Sequence, residues 1–148
     1  MRSIAISLAA LVFAATAHAQ EPPRWSVYIP RLGLVRPIGE CPIVDRIHDT
    51  SALGQGVCHL EGTATLGYDW ARIVLAGHSN GAFAELHDLR AGDSVIVWDA
   101  HTVEVYTVTD LHTVAVADTR WLMPTREETL TLITCAGDDR LIVNVRKN

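Results

Sequence analysis

After residue 24 the chain is dominated by short apolar–polar alternations, each broken within a few residues by glycine, proline or aspartate. Trp25-Ser26-Val27-Tyr28-Ile29 has the two-residue period of a half-buried strand and stops at Pro30. Leu34-Val35-Arg36-Pro37-Ile38 reads as a second strand, placed at a sheet edge by its proline. Ile47 to Leu53 predicts a short helix or turn ended by Gly54, and Gly56–Leu60 and Arg72–Ala76 predict strands around a glycine-rich turn region. Phe83, Leu86 and Leu89 recur at the three-residue spacing of a short helix or 3₁₀ turn. Ser94–Trp98 and Val103–Val108 form a hairpin pattern across Asp99-Ala100, and Leu111–Val116 continues the sheet. Ala117–Glu128 reads as a loop with at most one helical turn, and Thr129–Cys135 and Arg140–Val145 close the chain as strands. So many short strands, with one or two short helices, predict a mostly β protein built as a closed or nearly closed barrel.

The 148 residues fit one domain. Met1-Arg2, an apolar run from Ile4 to Ala17, and Ala17-His18-Ala19 have the order of a secretory signal peptide, so residues 1–19 are expected to be a leader and 20–148 the functional domain. The competing reading is an uncleaved N-terminal membrane anchor. Either way the chain is expected in the envelope, periplasmic or extracellular. The formal charge is −5, and loss of Arg2 makes it one more negative. Basic residues are scattered along the sequence, which argues against a nucleic-acid partner. Export permits disulfides. Three cysteines leave at least one thiol unpaired; the economical pairing joins Cys41 to Cys58 and leaves Cys135 free.

Cys135 ends the apolar run Thr131-Leu132-Ile133-Thr134, and Ala136-Gly137-Asp138-Asp139 must turn, which puts the thiol at a rim. Alternation places Thr131, Ile133 and Cys135 on one face and Leu132 and Thr134 on the other. If the two last strands pair across the turn, Arg140 starts close to Cys135. Among the histidines, His78 stands out: Gly77 allows a sharp exit from a hydrophobic strand and Ser79-Asn80-Gly81 continues as a turn. Cysteine supplies a nucleophile, histidine a proton carrier and arginine a fixed positive charge for an oxyanion. A buried structural cysteine and surface histidines remain the bland alternatives. No two histidines stand four apart, so no metal or other cofactor is expected.

The chain resembles the sortase family. The resemblance is carried by Ile29-Pro30-Arg31-Leu32-Gly33-Leu34, by Gly56-Val57-Cys58-His59-Leu60-Glu61-Gly62-Thr63-Ala64, and by Val74-Leu75-Ala76-Gly77-His78. It continues through Leu122-Met123-Pro124-Thr125, Leu130-Thr131-Leu132-Ile133-Thr134-Cys135 and Arg140-Leu141-Ile142-Val143. It implies an eight-stranded barrel with His78, Cys135 and Arg140 as catalytic residues, Arg140 being preferred to Arg146 on the same strand face. It implies a cysteine transpeptidase whose partners are proteins bearing a C-terminal sorting signal similar to Leu-Pro-x-Thr-Gly and an amine acceptor from the cell wall, a pilin or another envelope component. Thr134 is a substrate-binding candidate or a backbone brace, and Leu122 and Met123 are candidates for an apolar groove wall. The competing functions are an envelope cysteine hydrolase using the same residues and a catalytically idle peptide-binding barrel.

Overall fold

The computed structural model describes residues 25–67 and 71–148; the expected leader at 1–19 lies outside them. Among the described residues ten strands form, in chain order β1 Trp25–Ile29, β2 Leu34–Cys41, β3 Ile43–Val44, β4 Ile47–His48, β5 Val57–Leu60, β6 Ala71–Gly77, β7 Ser94–Asp99, β8 Val103–Ala115, β9 Glu128–Ala136 and β10 Asp139–Lys147. Eight of them close a barrel in the order β1-β2-β5-β6-β9-β10-β8-β7, and β3 and β4 make a separate two-stranded ribbon. Neighbours are antiparallel except β2 with β5 and β6 with β9, which run parallel. The helical content among the described residues is three 3₁₀ turns, Pro30–Leu32, Leu86–Asp88 and Arg120–Leu122.

Strand alternation sorts apolar side chains onto two surfaces. Val27, Ile73, Leu75, Leu130, Leu132, Val143 and Val145 point into the barrel with Phe83, Leu86 and Tyr106. Val74, Ala76, Ile133 and Ile142, one residue out of phase, form a second cluster on the outside with Cys41, Cys58 and Leu60. Leu53, Val114, Trp121 and Leu122 cover that outer cluster. The covering side chains come from the β2–β5 and β8–β9 connections and the end of β8, so these segments become the walls of whatever forms there.

Two local readings differ from the sequence pattern. The segment expected as a helix or turn from Ile47 begins as strand: Val44 pairs with Ile47 across Asp45 and Arg46, whose φ of 50° and 68° make a tight hairpin turn. Glu61 anchors this ribbon by accepting the Ile43 N–H at 2.6 Å, while the His48 ring meets the Glu61 carbonyl at 2.9 Å. Second, β2 is an internal strand of the barrel. Its Pro37 sits in the half that pairs with β1 alone, because pairing to β5 starts only at Ile38, so a missing N–H there breaks no second ladder. The Phe83–Leu89 spacing is met by the 3₁₀ form of the two expected, a single turn at Leu86–Asp88 flanked by further turns, with Phe83, Leu86 and Leu89 buried.

Candidate active site

Strand register brings the candidate chemistry into one row. β9 and β10 pair Cys135 with Arg140, and β10 and β8 pair Arg140 with Val114. The parallel pair β6–β9 matches Ala76 with Ile133, and His78 leaves the end of β6 beside the end of β9 that carries Cys135. At about 4.8 Å between neighbouring strands, the backbones of Cys135 and Arg140 stand side by side, and His78 lines the same groove. Cys135 shares the outer face with Ile133, is exposed, and is a free thiol. Among the described residues no three His, Cys, Asp or Glu side chains group as a metal site.

The row opens into a groove of about 560 Å³. Leu60, Ala76 and Ile133 lie along it, Ile47 and Leu53 come from the β2–β5 connection, and Val116, Trp121 and Leu122 come from the other side. His78, Thr134, Cys135 and Arg140 line it too. An apolar trough with a nucleophile, an imidazole and a guanidinium at one end can hold an extended peptide and attack one carbonyl of it.

Several contacts fix that end. Phe83 packs so close to Gly77 that a Cβ there would lie 2.7 Å from the ring, which only glycine avoids. The Phe83 and Gly81 N–H groups donate to the His78 carbonyl at 3.2 and 3.0 Å, setting the turn that carries the imidazole. The buried Thr134 hydroxyl donates to the Gly77 carbonyl at 2.8 Å, tying the end of β6 to β9. Of the two roles open for Thr134, this bond favours the brace. At the far side Gly137, with φ 62°, makes the two-residue turn that returns the chain to Arg140. Arg140 donates from Nη1 to the Asp139 carbonyl at 3.1 Å, and its other N–H groups form no bond to a described residue.

The Trp121 wall is held from within its own connection. Its indole N–H donates to the Asp118 carbonyl at 2.6 Å, and the Arg120 guanidinium beside Asp118 holds that carboxyl down at about 2. Leu122 lines the groove, whereas the Met123 side chain is 56% exposed and does not line it. Met123 contributes instead a carbonyl that accepts the Arg72 Nε–H at 2.9 Å. Cys41 and Cys58 are joined by a disulfide in the outer cluster, with Cα atoms 5.5 Å apart. Ile47 and Val116 were not singled out by the sequence. Both are highly exposed apolar residues whose place on the groove follows only from the β3–β4 ribbon and the end of β8.

A hydroxyl–imidazole–carboxylate chain also occurs elsewhere: Thr63 Oγ1 lies 2.9 Å from His59 Nε2, and His59 Nδ1 lies 2.8 Å from Glu40. Thr63 Oγ1 donates to the Leu60 carbonyl at 2.8 Å and accepts the Val74 N–H at 3.2 Å, so its proton is committed to the backbone and not to the imidazole. His59 is 4% exposed, and Trp25 packs on its ring at 4.9 Å. The group is a brace between strands.

The comparisons agree with this geometry. The family description "Sortase domain" matches residues 27–148. Sortase E from Streptomyces avermitilis is 31% identical, with a TM-score of 0.73 over 85% of this chain and 88% of that one. A lid mutant of sortase A from Corynebacterium diphtheriae is 28% identical, with a TM-score of 0.76 over 88% of this chain and 73% of that one. Sortase C-1 from Actinomyces oris gives 27% identity and the same TM-score, over 87% and 76%. No curated protein sequence matches the chain. With the match covering nearly all the described residues and the barrel shared, the chain belongs to the sortase family of cysteine transpeptidases.

Proposed function

We propose that the protein cleaves a sorting signal similar to Leu-Pro-x-Thr-Gly between threonine and glycine and transfers the threonyl acyl group to an amine. The single observation that carries this reading is that Cys135, its register partner Arg140 and His78 line one end of a single groove. The sulfur acts as its thiolate. Cys135 Sγ attacks the threonyl carbonyl carbon, and the negative charge passes to the carbonyl oxygen. Arg140, with N–H groups free of described partners, stabilises that oxyanion. His78 gives a proton to the departing glycyl amine as the C–N bond breaks, leaving a thioester. The acceptor amine, deprotonated by His78, then attacks the thioester and restores the thiolate.

The protein acts after export to the cell envelope, released or N-terminally anchored; a disulfide at Cys41–Cys58 suits an oxidising compartment. Its partners are proteins ending in the sorting signal and an amine-bearing envelope component. The test is product analysis with a Leu-Pro-x-Thr-Gly peptide set, with and without an amine, beside Cys135→Ala. Cysteine-dependent, amine-linked product supports the reading. Hydrolysis alone, across a panel of amines, would assign the site to a hydrolase instead.

A further inference from the structure

The groove that holds Cys135 carries charge of one sign. Arg46, His48, His78 and Arg140 line it, and among the described residues no aspartate or glutamate does, although the chain as a whole has a net charge of −5. In the proposed reaction His78 moves protons and Arg140 meets the oxyanion. His48 is held by structure, its ring Nε2–H donating to the Glu61 carbonyl at 2.9 Å. Arg46 has no such employment: it is exposed and has no ion pair among the described residues.

Arg46 also stands where the backbone disfavours it. It is the second residue of the two-residue turn between β3 and β4, with φ of 68° after Asp45 at 50°. Such turns favour glycine at that place, because a Cβ in the left-handed region is strained. Strain of this kind gathers where a side chain must be held toward a ligand. The ribbon beneath the turn is anchored: Glu61 accepts the Ile43 N–H at 2.6 Å, and the Asp49 N–H donates to the Pro42 carbonyl at 2.8 Å. Those two acids are thereby engaged, Asp49 also accepting the Ser51 N–H at 2.9 Å. Ile47, the next residue, is 71% exposed and lines the groove, so the ribbon offers an apolar and a cationic side chain to the same occupant.

We propose that Arg46 is a specificity-determining residue that pairs with an aspartate or glutamate at the variable position of the Leu-Pro-x-Thr-Gly-like signal. Leucine, proline, threonine and glycine are neutral, so within the signal only the variable residue can bring a charge to this groove. A guanidinium matches a carboxylate through two parallel N–H···O bonds. The contact is away from the reacting carbonyl and is made equally in the bound state and the transition state, so it acts on KM and not on kcat. The inference rests on the sorting-signal reading and deepens it by naming the chemistry of the variable side chain.

The test compares peptides with glutamate, glutamine or lysine at the variable position, and a fourth with glutamine there and glutamate just ahead of the leucine. With the wild type, the glutamate peptide is expected to have a KM about three- to fivefold below that of the glutamine peptide at similar kcat, as for a part-exposed charge pair. Arg46→Glu should reverse the order and favour lysine. Arg46→Gly suits the turn, so its unfolding transition should be retained while the glutamate advantage disappears. Equal KM values for the glutamate and glutamine peptides overturn the assignment. So does an advantage that survives Arg46→Gly, or one shown only by the flanking glutamate. Calorimetric binding to Cys135→Ala protein separates the two ideas. Cysteine-dependent turnover without charge preference removes the role of Arg46 only; charge-dependent binding that follows Arg46, without turnover by the wild type, removes the enzymatic reading only.

Discussion

Replacing Gly77 by alanine tests how the fold aims the imidazole. The added Cβ would stand 2.7 Å from Phe83 Cγ and Cδ2 and 3.2 Å from its Cβ. Ordinary carbon contacts are about 3.5–4.0 Å, so the ring or the strand must yield by about 1 Å. Phe83 is 1% exposed and packs inside the barrel with Leu86 and Leu89, which leaves the ring little room. Overpacking of this kind costs about 1–3 kcal/mol, or about 3–10 °C in Tm for a domain of this size. Because the Phe83 N–H also donates to the His78 carbonyl, displacement of residue 83 moves the turn that carries the catalytic candidate. Urea denaturation and peptide turnover should therefore both fall. The variant Gly77→Ala/Phe83→Leu, with a smaller side chain at the contact, should recover at least about 0.5 kcal/mol relative to additivity of the single changes. Strict additivity, or an unaffected Gly77→Ala, would refute the claim that this contact sets the exit of His78.

Thr134→Val leaves the shape nearly intact but deprives the Gly77 carbonyl of its 2.8 Å donor; a loss of about 1–3 kcal/mol in chemical denaturation is expected, with turnover reduced and both restored by Thr134→Ser. Cys41→Ala/Cys58→Ala opens a link between residues 17 apart and should cost about 3 kcal/mol on the loop-closure account, measured by urea titration against the oxidised protein. Asp118 has its folded value held at about 2 by Arg120, below an unfolded value of about 3.9. Its contribution to the groove wall is therefore present above about pH 4 and is lost as pH falls toward 2. The Trp121 indole N–H resonance should follow that loss, and Asp118→Asn should abolish the step.

Much of the site was legible because β periodicity is short-range. Alternation alone put Ile133 and Cys135 on one face, and the Gly137 turn made Arg140 the register partner of Cys135. The exit at Gly77-His78 was equally visible, although its cause, the approach of Phe83, belongs to tertiary packing. The walls were harder to see. Val44-Asp45-Arg46-Ile47 lacks the glycine that usually marks a two-residue hairpin, so nothing local announced that Ile47 would rim the groove. Pro37 pointed to an edge because sequence shows a missing N–H but not which half of a strand has a second neighbour. Leu122 and Met123 were indistinguishable as adjacent apolar residues, and only the 3₁₀ turn at Arg120–Leu122 decides which one faces the floor. The row of Arg72, Thr129 and Arg146 joins residues far apart in the chain and follows only from the β6–β9–β10 ladders.

The central claim is that Cys135 is the acyl-carrying nucleophile and Arg140 its oxyanion partner. Peptide mapping of the folded, reduced protein after brief exposure to a Leu-Pro-x-Thr-Gly substrate tests it most directly. The account predicts a threonyl-terminated acyl adduct on Cys135, absent from Cys135→Ala. Arg140→Ala should form it about 10²–10³-fold more slowly, with its unfolding transition retained, as for loss of one oxyanion donor worth up to about 3–4 kcal/mol. An adduct on another residue, or an undiminished rate in Arg140→Ala, would contradict it.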